Sequence, residues 1–270
     1  YSHYIYDKVI DNYDIIKNNF CDTQMLFACF VIPVPDSLDA IFDSVKDAAT
    51  ISKYGGGVGA NFGYLREKNA NIRNGDLGGS SGPVSFMKVW NTMGSVVVQG
   101  GKRRAALMGM LNSNHPDVEE FIDAKTKEGE LMYFNISVAI DDVFMEAVKK
   151  NSDYDLISPC VYKKSTDTDD KTKVAYVNGI PHKIVKTLKA RDLWEKICGN
   201  AWKRGDPGIF FIDIANRDSL LSESTSKYKF NSTNPCCTGD TLVSTPNGMK
   251  RADSINVGDE IITIDGVEKV

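Results

Sequence analysis

Short apolar runs alternate along most of the chain with longer stretches in which apolar residues recur every three or four positions. The continuous apolar run at 27–34 has the length of a strand buried on both faces, 208–213 indicates a second buried strand, and 104–111 and 134–140 indicate two further strands. Because strands that alternate with helices pair in parallel, the pattern predicts an α/β layer or barrel. The chemistry of such folds lies at the strand ends.

Five stretches have the spacing of amphipathic helices. They begin at Asp36 or Ser37, at Pro83, at Pro116, at Asp141 or Asp142, and at Ala190. The apolar residues that define four of them are Leu38, Ile41, Phe42, Val45 and Ala49, then Val84, Met87, Trp90 and Val97, then Val118, Phe121 and Ile122, and finally Leu193, Trp194, Ile197 and Trp202. Residues 160–188 are polar and β-branched, and Asn178-Gly179 predicts a hairpin turn there.

The pattern changes after residue 235. Short apolar segments between 241 and 264 are separated by turn sequences such as Pro246-Asn247-Gly248 and Asp265-Gly266, without helical spacing. This pattern predicts the opening of a separate all-β domain. We therefore divide the chain into 1–235 and 236–270.

Composition narrows the class of protein. With 42% hydrophobic and 25% charged residues among 270, the chain suits a soluble globular protein, and its net charge of -4 argues against direct binding to nucleic acid. No apolar run approaches the roughly 20 residues that span a bilayer. The start at Tyr1 lacks signal-peptide features and is typical of an internal position in a longer protein, so we expect a cytoplasmic protein without membrane contact.

The cysteines and histidines argue against a metal site. Six cysteines without a C-x-x-C pair and only three histidines make a zinc site a poor expectation. Cytosolic cysteines are mostly reduced, so a redox or nucleophilic cysteine becomes the more interesting possibility. For Cys160 and Cys198 the default interpretation is a buried apolar thiol.

Three features of the first part could carry chemistry. The glycines at 55–59 could bring the backbone close to a ligand or turn N–H groups toward phosphate, but alone they favour no more than a flexible turn. The segment Gln99-Gly100-Gly101-Lys102-Arg103-Arg104 suits a nucleotide triphosphate, with a solvated basic turn as the alternative. Cys29 lies within an apolar run, where an inert core thiol is the ordinary interpretation.

Taken in order, several segments resemble the catalytic large subunits of ribonucleotide reductases. They are Ala28-Cys29-Phe30-Val31-Ile32-Pro33-Val34-Pro35-Asp36-Ser37-Leu38, the glycines at 55–59, Ser81-Gly82-Pro83-Val84-Ser85-Phe86-Met87, the segment 99–104, His115-Pro116-Asp117, Phe134-Asn135-Ile136-Ser137-Val138, Asp206-Pro207-Gly208-Ile209-Phe210-Phe211-Ile212-Asp213 and Asn234-Pro235. The resemblance spans about residues 24–235. It is closest to the adenosylcobalamin-dependent class (class II), and subunits that use a separate radical-generating protein are the alternative.

The resemblance implies a fold, a cofactor and roles for particular residues. The fold is the N-terminal half of a ten-stranded α/β barrel, the cofactor is adenosylcobalamin, and the allosteric effectors are dNTPs or ATP. The implied site residues are Cys29 in the redox pair that reduces the ribonucleotide and leaves as a disulfide, Ala28, Gly56 and Gly57 as substrate contacts, Asp36, Arg66 and Arg103 as effector contacts, and Asn234 on the ribose hydroxyls. A thioredoxin- or glutaredoxin-like thiol would reset the redox pair, and a homodimer is a candidate assembly. Phe27 departs from the family pattern, in which a small hydroxyl residue is usual.

In the family the thiyl-radical cysteine lies in Asn-Pro-Cys-Gly-Glu, but here Asn234-Pro235-Cys236 is followed by Cys237-Thr238-Gly239-Asp240-Thr241. That stretch resembles the first block of an intein, whose initial cysteine attacks the preceding carbonyl. The Cys-x-Thr-Gly-Asp-Thr spacing favours Cys236 as this nucleophile, with Cys237 as the alternative. The radical cysteine and catalytic glutamate are then absent, and the partners include a complementary intein half and the downstream reductase segment.

Three functional hypotheses follow from the sequence. The chain is a reductase segment fused to the start of an intein, a protein-splicing precursor with the reductase only as host, or a nucleotide-binding regulatory domain without catalysis. A reactive Cys236 thiol on an all-β tail would distinguish the second, and effector affinity without a role for Cys29 would distinguish the third. Diphosphate and triphosphate substrates both stay open, and we expect the chain alone to be inactive.

Overall fold

The chain divides into two compact units, Tyr1–Asn234 and Pro235–Val270. None of the helices in the described part of the chain combines the length and the apolar composition needed to cross a bilayer. The computed structural model describes residues 29–72, 78–97, 105–127, 129–162, 172–219, 229–234, 242–256, 258–263 and 266–269.

A five-stranded parallel sheet forms the centre of the first unit. Its strands are β1 (Cys29–Val31), β2 (Gly57–Asn61), β3 (Leu107–Asn112), β4 (Phe134–Ile140) and β8 (Gly208–Phe211). Every neighbouring pair is parallel, and the spatial order β1-β2-β3-β4-β8 follows the chain order. A sheet that advances steadily in one direction is typical of an α/β barrel, because doubly wound sheets reverse direction. The predicted α/β class is confirmed.

Helices lie between the parallel strands and after the last described one. They are α1 (Leu38–Lys53), α2 (Pro83–Val96), α3 (Val118–Asp123), α4 (Asp142–Lys150), α5 (Ala190–Arg204) and α6 (Ile212–Arg217). The Ser37 hydroxyl accepts a hydrogen bond from Ala40 N at 3.3 Å, and Asp141 Oδ1 accepts one from Phe144 N at 2.6 Å. Each bond satisfies an amide that the first helical turn leaves without an intrahelical partner. The predicted starts at Ser37, Pro83 and Asp141 are confirmed.

Successive residues of the strands alternate between two faces of the sheet. On the apolar face, the Phe62 ring packs edge-on against Trp90 of α2 at 5.4 Å and against Phe134 of β4 at 6.0 Å, measured between ring centroids. A Cβ at Gly109 would lie 2.4 Å from Cε of Met87, so α2 lies directly over β3. The strand residues buried on this face include Val58, Ala60, Leu107, Leu111, Ile136 and Val138.

The opposite face of the sheet carries small and polar residues. Cys29 pairs with Gly57 and Val31 pairs with Gly59, so these four side-chain positions share that face. Asn61 continues it at the end of β2. Residues 231–234, named the strap below, lie along this face. Hydrogen bonds join both ends of the strap to β2, from Asn231 to Asn61 and from Asn234 to Gly57.

An antiparallel sheet is inserted between β4 and β8, flanked by α4 and α5. It has the order β5-β7-β6, with strands β5 (Asp153–Val161), β6 (Val174–Val177) and β7 (Ile180–Lys189). Asn178 and Gly179 join β6 to β7 with φ angles of 51° and 77°. Positive φ at both positions is what a two-residue type I′ turn requires, so the predicted hairpin is confirmed.

Gly199 lies in the interior of α5, where glycine weakens a helix. A Cβ built at Gly199 meets nothing within 4 Å. Because alanine restricts the unfolded chain, Gly199→Ala should raise the free energy of unfolding by about 0.5–1 kcal/mol, measured by urea denaturation. Gly205→Ala is the matched control and should destabilise, because Gly205 ends the same helix with φ of 76°. A decrease for Gly199→Ala contradicts this prediction.

The second unit contains two antiparallel hairpins. Lys250 Nζ and Asp259 Oδ2 form an ion pair at 2.6 Å, and the hydrogen bond from Lys250 lowers the pKa of Asp259. A short 3-10 turn, Ala252–Ser254, follows the first hairpin. The prediction of short strands joined by turns is confirmed, except that the predicted segment from Ile255 to Gly258 forms no strand at its described residues. The assignment of 236–270 to an intein stays a prediction. The strands are β9 (Leu242–Thr245) paired with β10 (Gly248–Arg251), and β11 (Glu260–Thr263) paired with β12 (Gly266–Lys269).

The predicted burial of the first strand is wrong for its described residues. Cys29 and Val31 are exposed, because β1 is the edge strand of the described sheet and has β2 as its one neighbour there. The glycines at 57 and 59 belong to β2 rather than to a flexible turn, and Gly55, with φ of 92°, makes the turn after α1. The strand predicted to reach Asp213 ends at Phe211, where α6 begins.

Several helix faces also differ from the sequence pattern. Leu38 and Phe42 are exposed, because the buried stripe of α1 runs through the small residues Ser44 and Ala48 instead. Trp202 is 86% exposed in the last turn of α5, where Asn200 and Arg204 rather than Trp202 contact the region of α3, at the Ile122 and Thr126 carbonyls. Cys198, on the same helix, is exposed rather than buried.

Candidate active site

Asn234 joins the two strands that carry Cys29 and Gly57. Its Nδ2 donates to the carbonyl oxygen of Gly57 at 2.7 Å and to that of Phe30 at 3.2 Å. Cys29 is directly opposite Gly57 in the β1–β2 register. The structure therefore brings together Cys29, Gly57 and Asn234, three of the residues that the sequence singled out. Since both amide hydrogens are directed at carbonyls, Oδ1 is the atom with which Asn234 could meet a hydroxyl group.

The strap passes so close to β2 that side chains are excluded there. A Cβ at Gly59 would lie 1.8 Å from the carbonyl oxygen of Thr233, and a Cβ at Gly57 would lie 2.8 Å from Asn234 Oδ1. The first contact is with backbone, which cannot rotate away. The glycines of β2 are therefore required for close packing of the strap, a role that the glycine cluster alone did not reveal.

Amide side chains hold the beginning of the strap. Asn61 Nδ2 donates to the Asn231 carbonyl at 2.8 Å and to Asn112 Oδ1 at 3.0 Å, while Asn61 Oδ1 accepts from Gly63 N at 2.8 Å. These contacts lie at the carboxyl ends of β2 and β3. A polar cavity of about 600 Å³ opens at this end of the sheet. Its lining includes Asn61, Asn112, Asn231, Tyr64, Phe230 and Asp213.

Two carboxylates at the same end of the sheet support the α4 terminus. Asp141 caps α4, and Asp213 Oδ2 accepts from Asp142 N at 2.8 Å. Burial raises the pKa of Asp141, and the nearby Asp213 carboxylate raises it further against the hydrogen bond from Phe144 N. Burial and the Asp141 carboxylate also raise the pKa of Tyr154, whose hydroxyl donates to Asp141 Oδ2 at 3.3 Å. Asp141 and Asp213 thus have a structural role, because both carboxylates accept hydrogen bonds from backbone amides at the start of α4.

Asp36 and Arg66, predicted as effector contacts, lie together after β1 and β2. Arg66 Nε donates to Asp36 Oδ2 at 2.8 Å, and Arg66 N donates to Asp36 Oδ1 at 3.2 Å. Arg66 Nη1 also donates to the Asn71 carbonyl at 3.1 Å. Both charged side chains keep about a quarter of their surface exposed. They are therefore within reach of a ligand.

The sequence analysis did not identify a buried polar cluster that lies next to Arg66. His115 Nε2 bonds to the Leu65 carbonyl at 2.9 Å, and Nδ1 accepts from Asp117 N at 3.0 Å, an arrangement that fits a neutral ring with its proton on Nε2. Burial lowers the pKa of His115, in agreement with this form. Ser158 of β5 donates to Glu67 Oε2 at 2.7 Å. The His115-Pro116-Asp117 motif was the available signal, but its partners are distant in sequence.

Cys160 lies beside this cluster and is half-buried. Burial raises the pKa of its thiol, and the carboxylates of Asp36 and Glu67 raise it further. The thiol therefore stays protonated at neutral pH. The sequence predicted a buried apolar thiol, but Cys160 is only half-buried because the polar and charged residues of this cluster surround it.

Lys125 and Asp206 form a largely buried ion pair at the amino end of β4. Their charged atoms are 2.6 Å apart, and the side chains are 18% and 17% exposed. Asp206 Oδ1 also accepts from Ile136 N at 3.3 Å, and Lys125 Nζ donates to the Phe134 carbonyl. The pair therefore fixes the start of β4 next to the turn that precedes β8.

Loss of one partner should leave the other charge buried. Asp206→Ala should lower the free energy of unfolding by about 2–3 kcal/mol, between the values for exposed and fully buried pairs. Glu130→Ala removes the more exposed pair with Lys88 and should cost less than about 1 kcal/mol. Urea denaturation of both variants checks the difference, and equal losses would contradict it.

Some predicted site residues lie outside the described part of the chain, namely Ala28, Arg103, Cys236 and Cys237. Gly56 is described and buried, and its N–H donates to the Ile51 carbonyl at 3.0 Å, so it closes the end of α1. Within the described ranges, no group of three or more His, Cys, Asp or Glu side chains could hold a metal ion.

A singly wound parallel sheet, with a polar strap along its glycine-rich face and a cysteine and an amide side by side on that face, is the kind of sheet from which α/β barrels are built. The chain belongs to the ribonucleotide reductase family. Residues 27–240 match the family described as "Ribonucleotide reductase, barrel domain".

Curated relatives support this membership. The chain is 40% identical to a vitamin B12-dependent ribonucleoside-diphosphate reductase of Thermoplasma acidophilum, over 87% of the chain and 28% of that protein. It is 35% identical to a protein of the same description from Mycobacterium tuberculosis, over 84% of the chain and 30% of that protein. It is 33% identical to a ribonucleoside-diphosphate reductase subunit alpha of Helicobacter pylori, over 72% of the chain and 25% of that protein. The chain thus spans less than a third of the length of these relatives.

Proposed function

We propose that this chain is a segment of a ribonucleotide reductase catalytic subunit, in which Cys29 and Asn234 face the ribose of the substrate. The observation that carries the proposal is the Asn234 amide, bonded across β1 and β2 at the level of the Cys29–Gly57 pair. The chemistry in this proposal is the ribonucleotide reduction of the family to which the chain belongs. A regulatory domain without catalysis would need neither an exposed thiol nor an amide at this position.

In this proposal, Cys29 supplies reducing equivalents. Its thiol and a second cysteine from the downstream part of the reductase together give two electrons and two protons to the substrate. The 2′ hydroxyl leaves as water, the 2′ carbon gains hydrogen, and the two sulfurs form a disulfide. A thioredoxin- or glutaredoxin-like dithiol then reduces that disulfide by exchange, for which Cys29 must be accessible. The exposure of Cys29 supports this role.

Asn234 would orient the sugar. Its Nδ2 is bonded to the carbonyls of Phe30 and Gly57, which fixes the direction of Oδ1. An acceptor held in one direction can bind a ribose hydroxyl without reorganisation. Because Gly57 has no side chain, the Asn234 amide that would bind the sugar can lie directly against the backbone of β2.

We propose adenosylcobalamin as the source of the radical, because the Thermoplasma and Mycobacterium relatives are named as vitamin B12-dependent. The Helicobacter relative, a subunit alpha, favours the alternative of a separate radical-generating subunit. The cavity described above is lined mostly by amide and charged side chains, with a few apolar and aromatic residues such as Ile212 and Phe230 between them, which is a poor fit to the broad apolar faces of a corrin. We therefore assign none of the described residues to the cofactor.

The Asp36–Arg66 pair is the proposed effector contact for dNTPs or ATP. Asp36 would accept from ribose hydroxyls, and Arg66 would bind phosphate with its remaining guanidinium hydrogens. Both side chains are already held by one another, so their positions do not depend on the ligand. Arg103 would join them from the segment 99–104.

We further propose that residues 236–270 begin an intein and that Cys236 starts splicing. The four short strands of the second unit suit the opening of an all-β domain, and the Cys-x-Thr-Gly-Asp-Thr sequence carries the assignment. Splicing with the complementary intein segment would join Pro235 to the downstream Cys-Gly-Glu. The active-site sequence Asn-Pro-Cys-Gly-Glu would thereby be restored.

The test is a reductase assay on the full-length ligated protein. We expect conversion of ribonucleotide to deoxyribonucleotide that depends on adenosylcobalamin and on a dithiol. Activity that needs a second protein subunit instead would support the alternative radical source. Absence of deoxyribonucleotide under both conditions, from a folded protein that binds nucleotide, would overturn the proposed function in favour of a regulatory domain.

A further inference from the structure

Asn61 and Gly59 lie beneath the strap, and we infer that they are positioning residues that set the place of Asn234 against the substrate ribose. The inference rests on the proposed function, because it concerns how the ribose contact is held. Both residues contact the strap, at Asn231 and Thr233, and would act on the ribose only by fixing the position of Asn234.

Asn61 fixes the first residue of the strap. Its two amide hydrogens point at the Asn231 carbonyl and at Asn112 Oδ1, and its oxygen accepts from Gly63 N. A flipped amide would place its oxygen against two acceptors and its NH2 against a donor, so only one orientation satisfies these partners. Asn61 is also buried, which makes a lost hydrogen bond costly. The strap therefore begins at a defined height above the end of β2.

Gly59 fixes the middle of the strap. A Cβ there would lie 1.8 Å from the Thr233 oxygen and 2.8 Å from the Thr233 carbonyl carbon. The strap would have to move away from β2 by an ångström or more to reach ordinary contact distances. Thr233 Oγ1, 3.7 Å from Met110 Sδ, holds the other side of the same residue.

A shift at Thr233 must reach Asn234, because adjacent Cα atoms are joined at a fixed distance of about 3.8 Å. The Asn234–Gly57 hydrogen bond, at 2.7 Å, does not survive a displacement of that size. A misplacement of about 1 Å at a reacting group can lower the rate about 10²-fold. The expected loss is therefore in the chemical step more than in substrate binding.

The experiment uses the full-length reductase with Asn61→Asp and Gly59→Ala. Asn61→Asp keeps the shape of the side chain but removes the donors to Asn231 and Asn112. We expect kcat to fall about 10²-fold while KM changes by less than about threefold. Two matched controls, Asn91→Asp and Gly199→Ala, should keep the wild-type kcat. Asn91 lies on α2, and the oxygen that accepts from Tyr133 N is kept in aspartate.

A second measurement follows the strap without reference to activity. Ser232 is 3% exposed, so a Ser232→Cys thiol should react slowly with iodoacetamide, as read by the mass of its peptide. Combined with Asn61→Asp or Gly59→Ala, this thiol should react at least tenfold faster, and combined with either control it should not. A circular dichroism spectrum and melting curve establish that each variant is folded.

The outcomes distinguish a failure of the positioning roles of Asn61 and Gly59 from a failure of the proposed reductase function. Unchanged labelling of Ser232→Cys overturns the inference, and so does faster labelling with kcat within twofold of wild type. Faster labelling with a fallen kcat and a steady KM supports it. A folded wild-type reductase that forms no deoxyribonucleotide overturns the proposed function itself, whereas an active wild type with unaffected variants overturns only the positioning roles.

Discussion

Cys29→Ala should abolish dithiol-dependent turnover of the full-length reductase, with a fall in kcat of about 10³-fold or more. The thiol lies exposed on the open face of β1, opposite Gly57 and next to the Asn234 amide. Without its sulfur no disulfide can form, so the two electrons for the 2′ carbon are missing. Cys29→Ser should behave in the same way, because a hydroxyl has the shape of the thiol but cannot be oxidised to a disulfide.

The matched control is Cys198→Ala. Cys198 is also exposed, but it lies on α5, away from the strap and the glycines of β2. Deoxyribonucleotide formation per minute, measured with excess dithiol, should stay at the wild-type level for this variant. If Cys29→Ala keeps more than about a tenth of the wild-type kcat, Cys29 is not part of the redox pair.

Cys236→Ala should eliminate ligation when the chain is supplied with the complementary intein segment and the downstream reductase. An alanine cannot convert the preceding peptide bond to a thioester, so the first step of splicing is lost. Cys237→Ala should still ligate, because that residue is not needed for the first step or for the final joining. The ligated product is measured by intact mass.

Thiol-induced cleavage tests the same boundary independently. An added thiol that intercepts the thioester should release residues 1–235 when Cys236 is the nucleophile. Release of residues 1–236 would identify Cys237 instead, and ligation by Cys236→Ala but not by Cys237→Ala would lead to the same conclusion. No cleavage and no ligation in the folded wild-type chain would contradict the intein assignment.

Elements determined by neighbouring residues were predictable from sequence. The strand predicted at 134–140 matches β4 at both ends, and the helix predicted to begin at Ala190 begins there as α5. The turn at Asn178-Gly179 was predictable because its positive φ angles favour these residue types. In each case the signal lies within a few residues of the element that it predicts.

Burial and contacts between distant segments were not predictable in this way. Periodicity marked Trp202 as inward, but the burial of a helix face depends on which elements pack against it, and α5 packs through Leu193 and Ile197. The Ser158–Glu67 hydrogen bond joins residues 91 positions apart. The Gly55–Gly59 cluster indicated flexibility, whereas two of its glycines are strand residues that leave space for the strap.

The hydrogen bond between Asn234 and Gly57 joins residues 177 positions apart in the chain. Contacts of such long range form late, because the intervening polypeptide must first be synthesised and ordered. During translation, the glycine-rich face of β2 therefore stays hydrated until almost the whole first unit has left the ribosome. Nascent chains that stop before residue 231 should present this face to solvent and to chaperones. In longer chains the strap covers it.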